Sequence, residues 1–425
     1  RSALMGLPAH DVDIACAAPW EVSQQLFEAA GCQTHETGVK HGTLTVVVKG
    51  SPFEVTTYRH DGAYKDGRHP EKVEFVSSIE EDLARRDFTM NALAYHPVRG
   101  VLDLFGGVAD IHNKVVRAVG EPKKRFGEDA LRILRGCRFA SELGFRIEDE
   151  TYKGMLANKG LLTRVAVERV RVELDRLLVG QRAGDVILDC VDVLSVVLPE
   201  LVAMKGFDQR TPYHCYDVLE HTTRAVDGVA PDVLIRWTML CHDMGKPAAF
   251  FTDEEGVGHF YGHGAISMRL ARGVLERLKA SPAFVDQVCL LVRRHDDIIE
   301  PSPRAVKRML ARLDGNVELF RALCEIKRGD TSAQAVPYRA ARRETINEVE
   351  HVLDDILARD EAFSLAKLAI GGNEVMAAGV PRGPFVGTAL EAALDAVIID
   401  EVANEPEALE VFVRTWWADC EGEDA

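Results

Sequence analysis

The chain has 425 residues, 47% of them hydrophobic, and 51 Lys and Arg against 67 Asp and Glu for a formal net charge of -16. That length calls for more than one domain, and the apolar content suffices for several cores. No apolar run reaches the roughly 20 residues of a membrane helix, no signal peptide is visible, and nine scattered cysteines without Cys-x-x-Cys spacing favour reduced thiols in a cytoplasm over a disulfide framework or a zinc knuckle. The acidity is uneven: Lys114 to Arg146 holds nine Lys or Arg against four acids, and Arg304 to Arg343 ten against four. Local basic stripes of this kind can meet phosphates while the remaining surface repels them, although ordinary solvated helices also fit.

From residue 1 to about 112, strand-like and helix-like patterns alternate, which predicts a small α/β domain with carboxylates at its sheet edge. In His10-Asp11-Val12-Asp13-Ile14-Ala15 two aspartates stand one residue apart. Alternate side chains of a strand share a face, so Asp11 and Asp13 project together and can hold divalent cations against a triphosphate. Alone, such a pair also fits a solvated strand end. The alternating run Thr43 to Val48, a Gly50-Ser51-Pro52 turn and the run Phe53 to Tyr58 predict a hairpin from which Glu54 can stand beside the aspartates as a third carboxylate for a two-metal clamp; an exposed strand glutamate fits the position equally.

Arg85-Arg86-Asp87 then leads into an apolar helical run, and arginine suits a phosphate because its planar fork donates two parallel hydrogen bonds. Asp129, Arg132, Arg135 and Arg138 recur every third residue and drift slowly around a predicted helix, with Leu131, Ile133, Leu134 and Phe139 on the other side. Such a row offers donors and acceptors to a base edge and to phosphates; a salt-bridged solvated face has the same spacing. The pattern is helical from about 113 to 205, with Val165 to Leu177 amphipathic.

Taken in order, HDVDIA, EVTTYR, RRDFTMNA and EDALRILR resemble the motifs of the class II tRNA nucleotidyltransferases, which include CCA-adding enzymes and bacterial poly(A) polymerases. The resemblance implies an α+β chain: a polymerase-β-like α/β head over 1–112, an all-α neck and body over 113–205 that binds the nucleotide base and the tRNA acceptor end, and further helical domains. It implies that Asp11 and Asp13 bind catalytic Mg²⁺ with Glu54 as the third carboxylate. Arg86 and Asp87 would contact the sugar and phosphates of the incoming nucleotide. Asp129 and Arg132, with Arg135 and Arg138 alongside, would pair with the base of CTP or ATP. Family members carry a Gly-Gly-x-Val-Arg-Asp loop that cradles the triphosphate before the metal pair; here Arg1 matches the arginine and would be a nucleotide contact, Ser2 replaces the aspartate and the glycines are absent. The first strand and helix of the head are therefore expected to be missing, and nucleotide to be held less well.

After Lys205-Gly206-Phe207 the composition changes, and 206–335 reads as a second functional domain. His221, the pair His242-Asp243, His263, His295 and Asp330 are separated by helical stretches. Imidazole and carboxylate are natural ligands for divalent transition metals, and an adjacent His-Asp can aim both groups at one cluster where a water becomes a nucleophile. The run Leu240-Cys241-His242-Asp243-Met244-Gly245-Lys246 resembles the HD phosphohydrolase domain. That resemblance implies His221, His242, Asp243 and Asp330 on one metal, His263 and His295 supporting a second, Ni, Co, Mn or Fe as the ion, and Lys246 as a phosphate contact. It also implies a possible repair of damaged tRNA ends; a helical platform without turnover is the alternative. Asp296 and Asp297 compete with Asp330 for the last ligand place.

Residues 336–425 read as a helical tail that, by the resemblance, touches tRNA, with a Gly-rich turn between helices near Ile370 to Gly387 and with Trp416 and Trp417 as packing residues. The readings combine into an enzyme that completes tRNA 3′ ends with C and A from CTP and ATP. Partial CC-adding, A-adding or poly(A) activity, or chiefly HD phosphohydrolysis, are the alternatives.

Overall fold

The computed structural model describes residues 1–8, 12–39, 42–61 and 73–423. The chain divides into two compact units, Arg1–Val202 with Val274–Ala280 and Ala203–Gly273 with Ser281–Ala425. The first joins a small sheet to helices and the second is almost wholly helical, which is the expected α+β class.

In the first unit β1 (Asp13–Cys16), β2 (Gln33–Gly38), β3 (Thr43–Val48) and β4 (Ser51–Thr57) form one sheet in the order β1-β4-β3-β2. β1 runs parallel to β4, and the other two pairs are antiparallel. The hairpin is tighter than its glycine and proline suggested. Val48 pairs with Ser51, so the turn is Lys49-Gly50, with φ of 51° and 83°. Positive φ at both central residues gives the turn whose twist matches the strands it joins. Pro52 becomes a strand residue just ahead of Glu54, where pairing with β1 begins, so its missing N–H forfeits no bond to β1.

The alternation sorts the sheet's two faces. Leu44, Val46 and Val55 are at most 3% exposed and pack with Cys16, Cys32 and Phe27, the last from the helix Trp20–Ala29. The opposite face carries Asp13, Glu54, Thr45 and Thr56 in adjoining register positions. Beyond β4, the helix Ile79–Ala84 is capped by Ser78 Oγ, which accepts from Glu81 N–H. Its buried Asp82 accepts from Arg85 at 2.7 Å and from the Arg59 backbone N–H at 3.4 Å, fixing the Arg85-Arg86-Asp87 segment to the chain just after β4.

The stretch from Glu128 to Arg138 is not one helix. Pro122–Glu128 ends at Asp129, whose backbone is extended (φ -142°, ψ 106°), and a new helix runs Leu131–Leu143. Asp129 Oδ1 accepts the Leu131 N–H at 3.0 Å; a short side chain with an acceptor competes with helical backbone bonding and favours such a break. The new helix buries Ile133, Leu134, Cys137 and Ala140 and packs on Val167–Leu178, whose inner face is Val170, Leu174 and Leu177.

In the second unit the helices Val218–Asp227, Val233–Cys241, Pro282–Arg294 and Val317–Ser332 enclose Trp237, Leu240, Val288, Leu291, Phe320 and Leu323, all nearly fully buried. Asp217, Asp232 and Asn316 cap three of them by accepting backbone N–H bonds. Near the end, Pro384–Ile398 and Pro406–Glu423 share a core with Val375, and Trp416 and Trp417 pack against it as expected. Among the described residues no helix is long and apolar enough to cross a membrane.

Candidate catalytic sites

Asp13 and Glu54 are direct register partners on the parallel β1–β4 pair. Partners on adjacent strands project to the same face, roughly 4.8 Å apart at the backbone, so the two carboxylates stand side by side, and both are exposed. Asp11, the other half of the acidic pair, lies outside the described residues.

Four of the predicted nucleotide contacts join through a residue that sequence reasoning passed over. Asn91 Oδ1 accepts from Arg1 at 3.0 Å, its backbone carbonyl accepts from Arg86 at 3.3 Å, and its Nδ2 donates to Asp87 at 3.1 Å. Asp87 completes the set with Arg135, whose Nη2 lies 2.7 Å away. Burial penalises the Asp87 charge, but the Arg135 guanidinium and the hydrogen bonds from Asn91 and Phe88 N–H outweigh it and hold the carboxyl below the usual aspartate range. The signal for Asn91 was its place four residues after Asp87.

Asp129, Arg132 and Arg138 are engaged elsewhere. Arg132 is 8% exposed and donates to Glu128 at 2.7 Å and to the carbonyls of Arg125 and Arg85. Arg138 is 3% exposed, lies 3.2 Å from Glu173, and sits 4.2 Å above the Phe139 ring. Asp129 Oδ2 is 3.6 Å from Arg169.

The second unit gathers its six predicted ligands around Asp243, which is 1% exposed. His242 Nε2 is 3.1 Å and His221 Nε2 3.5 Å from Asp243 Oδ2, while His263 Nε2 is 3.4 Å and His295 Nε2 3.8 Å from Oδ1. Asp330 Oδ1 lies 2.8 Å from His221 Nε2. Asp297 is turned to Arg294 at 3.1 Å and Arg312 at 3.8 Å, so of the two it is Asp330 that faces the cluster. Asp296 also feels His263, Asp330 and Asp243, and burial with those carboxylates holds its carboxyl above the usual aspartate range.

The backbone sets the ring orientations. Nδ1 of His242, His263 and His295 lies 2.6, 2.9 and 2.7 Å from the carbonyls of Met239, Phe260 and Val292, each three residues earlier, and Nδ1 of His221 lies 3.3 Å from that of Ala333. A carbonyl only accepts, so each Nδ1 carries the proton and each Nε2 is left to face the centre. His242 Nε2 and both oxygens of Asp243 are buried without an aligned hydrogen-bond partner. Burial disfavours a charge on His242, yet Asp243 and Asp330 push its imidazole up to about 10. Burial and the neighbouring histidines bring His295 down to about 3. Burial penalises the Asp243 charge, yet His242 and Lys246 together hold its carboxyl well below the usual aspartate range; a divalent cation at these groups would supply positive charge in the same place.

His221, His242 and Asp243, and likewise Asp243, His263 and His295, place their ligand atoms within 4.8 Å of one another. The donor set suits a divalent transition metal, with Asp243 between two positions. Lys246 Nζ stands 2.7 Å from Asp243 Oδ2 and donates to Gln209 Oε1 at 2.8 Å. Three neighbours were not anticipated: Gln209, His214 at 3.4 Å from Lys246 Nζ, and Gln334, which donates to Asp330 Oδ2 at 2.9 Å. Only Gln334 carried a signal, four residues beyond Asp330. Gly245 has a packing reason: a Cβ there would lie 2.6 Å from both His263 O and Ser267 N.

The chain matches the family described as Poly A polymerase head domain over residues 1–117, the probable RNA and SrmB-binding site of polymerase A over 144–204 and the HD domain over 211–325. It is 32% identical to a CCA-adding enzyme of Lactiplantibacillus plantarum, covering 97% of this chain and 90% of that protein. With a CCA-adding enzyme of Geobacillus thermodenitrificans it shares 34% identity over 96% of this chain and 89% of that one. Among solved structures it resembles the Bacillus stearothermophilus CCA-adding enzyme in complex with CTP, at 30% identity and a TM-score of 0.68, covering 99% of this chain and 92% of that one.

Proposed function

The chain belongs to the family of CCA-adding enzymes, and from that premise we propose that Asp13 and Glu54, together with Asp11 of the same acidic pair, hold Mg²⁺ at the site where it extends tRNA. It is a nucleotidyltransferase that completes tRNA 3′ ends with C and A from CTP and ATP, and it uses divalent metal. Mg²⁺ held by these carboxylates would supply polarisation of the α-phosphate and offset the developing charge. The terminal hydroxyl of the tRNA forms a new bond to the α-phosphorus as the bond to pyrophosphate breaks. Asp87, Arg86, Arg135 and Arg1, fastened together by Asn91, position sugar and phosphates, and Asp129 with Arg132 selects the base. The observation that carries this assignment is the pairing of Asp13 with Glu54 on the polar face of the sheet. Incubation with a tRNA lacking its terminal nucleotides, Mg²⁺ and labelled CTP or ATP tests it; addition of C then A is expected, and addition of C alone, A alone or a long A tail would replace it by the corresponding partial activity.

A second activity is favoured by the four imidazoles turned on Asp243. In this reading the second unit hydrolyses phosphate esters with Ni²⁺, Co²⁺, Mn²⁺ or Fe²⁺ held by His221, His242, Asp243, His263, His295 and Asp330. Water adds across the P–O bond, and the alcohol leaves with a proton. The boundaries at 112, 205 and 335 serve as the proposed division into head, neck and body, HD domain and tail. A reducing, cytoplasmic setting is supported by nine free thiols.

A further inference from the structure

Asp330 is the most exposed member of the histidine cluster: the side chains of His221, His242, Asp243, His263 and His295 are 0–7% exposed, whereas that of Asp330 is 24% exposed. What stands next to Asp330 therefore borders an approach to the cluster. Gln334, itself 2% exposed, donates to Asp330 Oδ2 and accepts from the guanidinium of Arg342. Arg339 Nε donates to the Gln334 carbonyl at 2.7 Å. The Arg342 guanidinium lies 5.4 Å from the centre of the Tyr213 ring, which is 44% exposed and meets Tyr338 at 4.8 Å. Tyr213 O accepts from Ala335 N–H at 2.8 Å, so the ring's own loop is fastened to this ledge.

Resting on the reading of the cluster as a phosphate-ester hydrolase, we propose that Tyr213, Arg342 and Gln334 form a subsite for a nucleoside phosphate at its mouth. The base lies against the Tyr213 ring, the phosphate meets Arg342, and Gln334 links that arginine to Asp330. One observation favours a nucleoside over a simple phosphate ester: a half-exposed aromatic ring stands beside the guanidinium, the pairing that single-stranded nucleotides use. The three arginines between Asp330 and Glu344 serve a phosphate of either kind. Another exposed aromatic group of this unit, Phe251, His259 and Tyr261, flanks the acidic turn Asp253-Glu254-Glu255, which repels one.

The test compares hydrolysis of adenosine 3′-phosphate and glycerol 2-phosphate by the full chain in Mn²⁺, reading released phosphate. Wild type is expected to prefer the nucleotide, Tyr213→Ala to reduce the ratio of the two kcat/KM values about tenfold, mainly through KM, and Tyr213→Phe to keep it. An unchanged ratio in Tyr213→Ala overturns the subsite. Should neither ester be hydrolysed, the hydrolase reading fails, and calorimetric titration with adenosine 3′-phosphate decides the subsite by itself: binding that weakens in Tyr213→Ala and Arg342→Ala sustains it, and no binding or equal binding refutes it. A short RNA ending in a 3′-phosphate, run in parallel, shows whether the natural source is a free nucleotide or a strand end, either of which carries the proposed chemistry.

Discussion

Asp13 and Glu54 face the same side of the sheet as partners on two parallel strands, exposed and surrounded by threonines rather than by core. Neither side chain contributes packing, so replacing either tests chemistry and not folding. Asp13→Ala is expected to lower incorporation of labelled CTP by about a hundredfold or more, with unfolding free energy changed by no more than about 0.5 kcal/mol and tRNA binding retained. Glu54→Gln should move in the same direction. Near-normal incorporation by Asp13→Ala would remove the aspartate from the metal site.

The Asp87–Arg135 pair makes a different kind of claim, because Asp87 is 8% exposed. Arg135→Ala leaves that carboxylate without its strongest partner, and the expected loss is roughly 2–3 kcal/mol, below the range for a fully buried pair because the Arg135 side chain is 34% exposed. The pH dependence follows from the direction of the shift. A carboxyl held below its ordinary value of 3.8 stabilises fully above that value and loses its contribution as pH falls through the lowered one. In urea unfolding, the gap between wild type and Asp87→Asn should be constant from neutral pH down to about 5 and narrow below 3.8. A gap that instead grows on acidification would show that Asp87 is protonated in the folded chain.

Period and residue type made part of this architecture legible in advance. The two-residue alternation of β3 and β4 is enough to predict the hairpin and the polar face that Glu54 takes, though not its register with Asp13, and the order of six histidines and aspartates is enough to predict one cluster, because few other roles unite those side chains. The three arginines were harder. A step of three residues turns about 60° around a helix, so Arg132 and Arg138 point some 120° apart and enter different surroundings, one against Glu128 and the other against Glu173. Spacing on one segment does not say which other segment supplies the partner. The same limit hid Asn91, His214 and the true hairpin turn, where a lysine rather than a second glycine takes a positive φ.

The base selection proposed for Asp129 and Arg132 can be separated from their structural duties. Asp129→Asn keeps a side-chain oxygen for the Leu131 N–H while exchanging one acceptor for donors. Arg132→Lys keeps the charge beside Glu128 and removes the fork. In competition between CTP and ATP on a tRNA awaiting its first C, each variant should shift the preference about tenfold, more than it slows total incorporation. A preference identical to wild type in both would assign base choice to other residues.

Gly245 ties the metal cluster to backbone geometry. It follows His242-Asp243 by two residues, and a Cβ there would press on His263 O and Ser267 N, both backbone atoms, at 2.6 Å, and on Ile266 Cβ at 2.9 Å. Main chain cannot swing aside as a side chain can, so Gly245→Ala must push the start of the helix His263–Arg277 outward. His263 moves with it and leaves Asp243. The expected phenotype is at least about a tenfold weaker hold on a metal at His263, His295 and Asp243, together with loss of phosphate-ester hydrolysis, while tRNA extension, proposed for the carboxylates of the first unit, is retained. Metal analysis of the purified variant and of His242→Ala, alongside CTP incorporation, checks both halves. Wild-type metal content and hydrolysis in Gly245→Ala would show that this approach of backbone to backbone does not position His263.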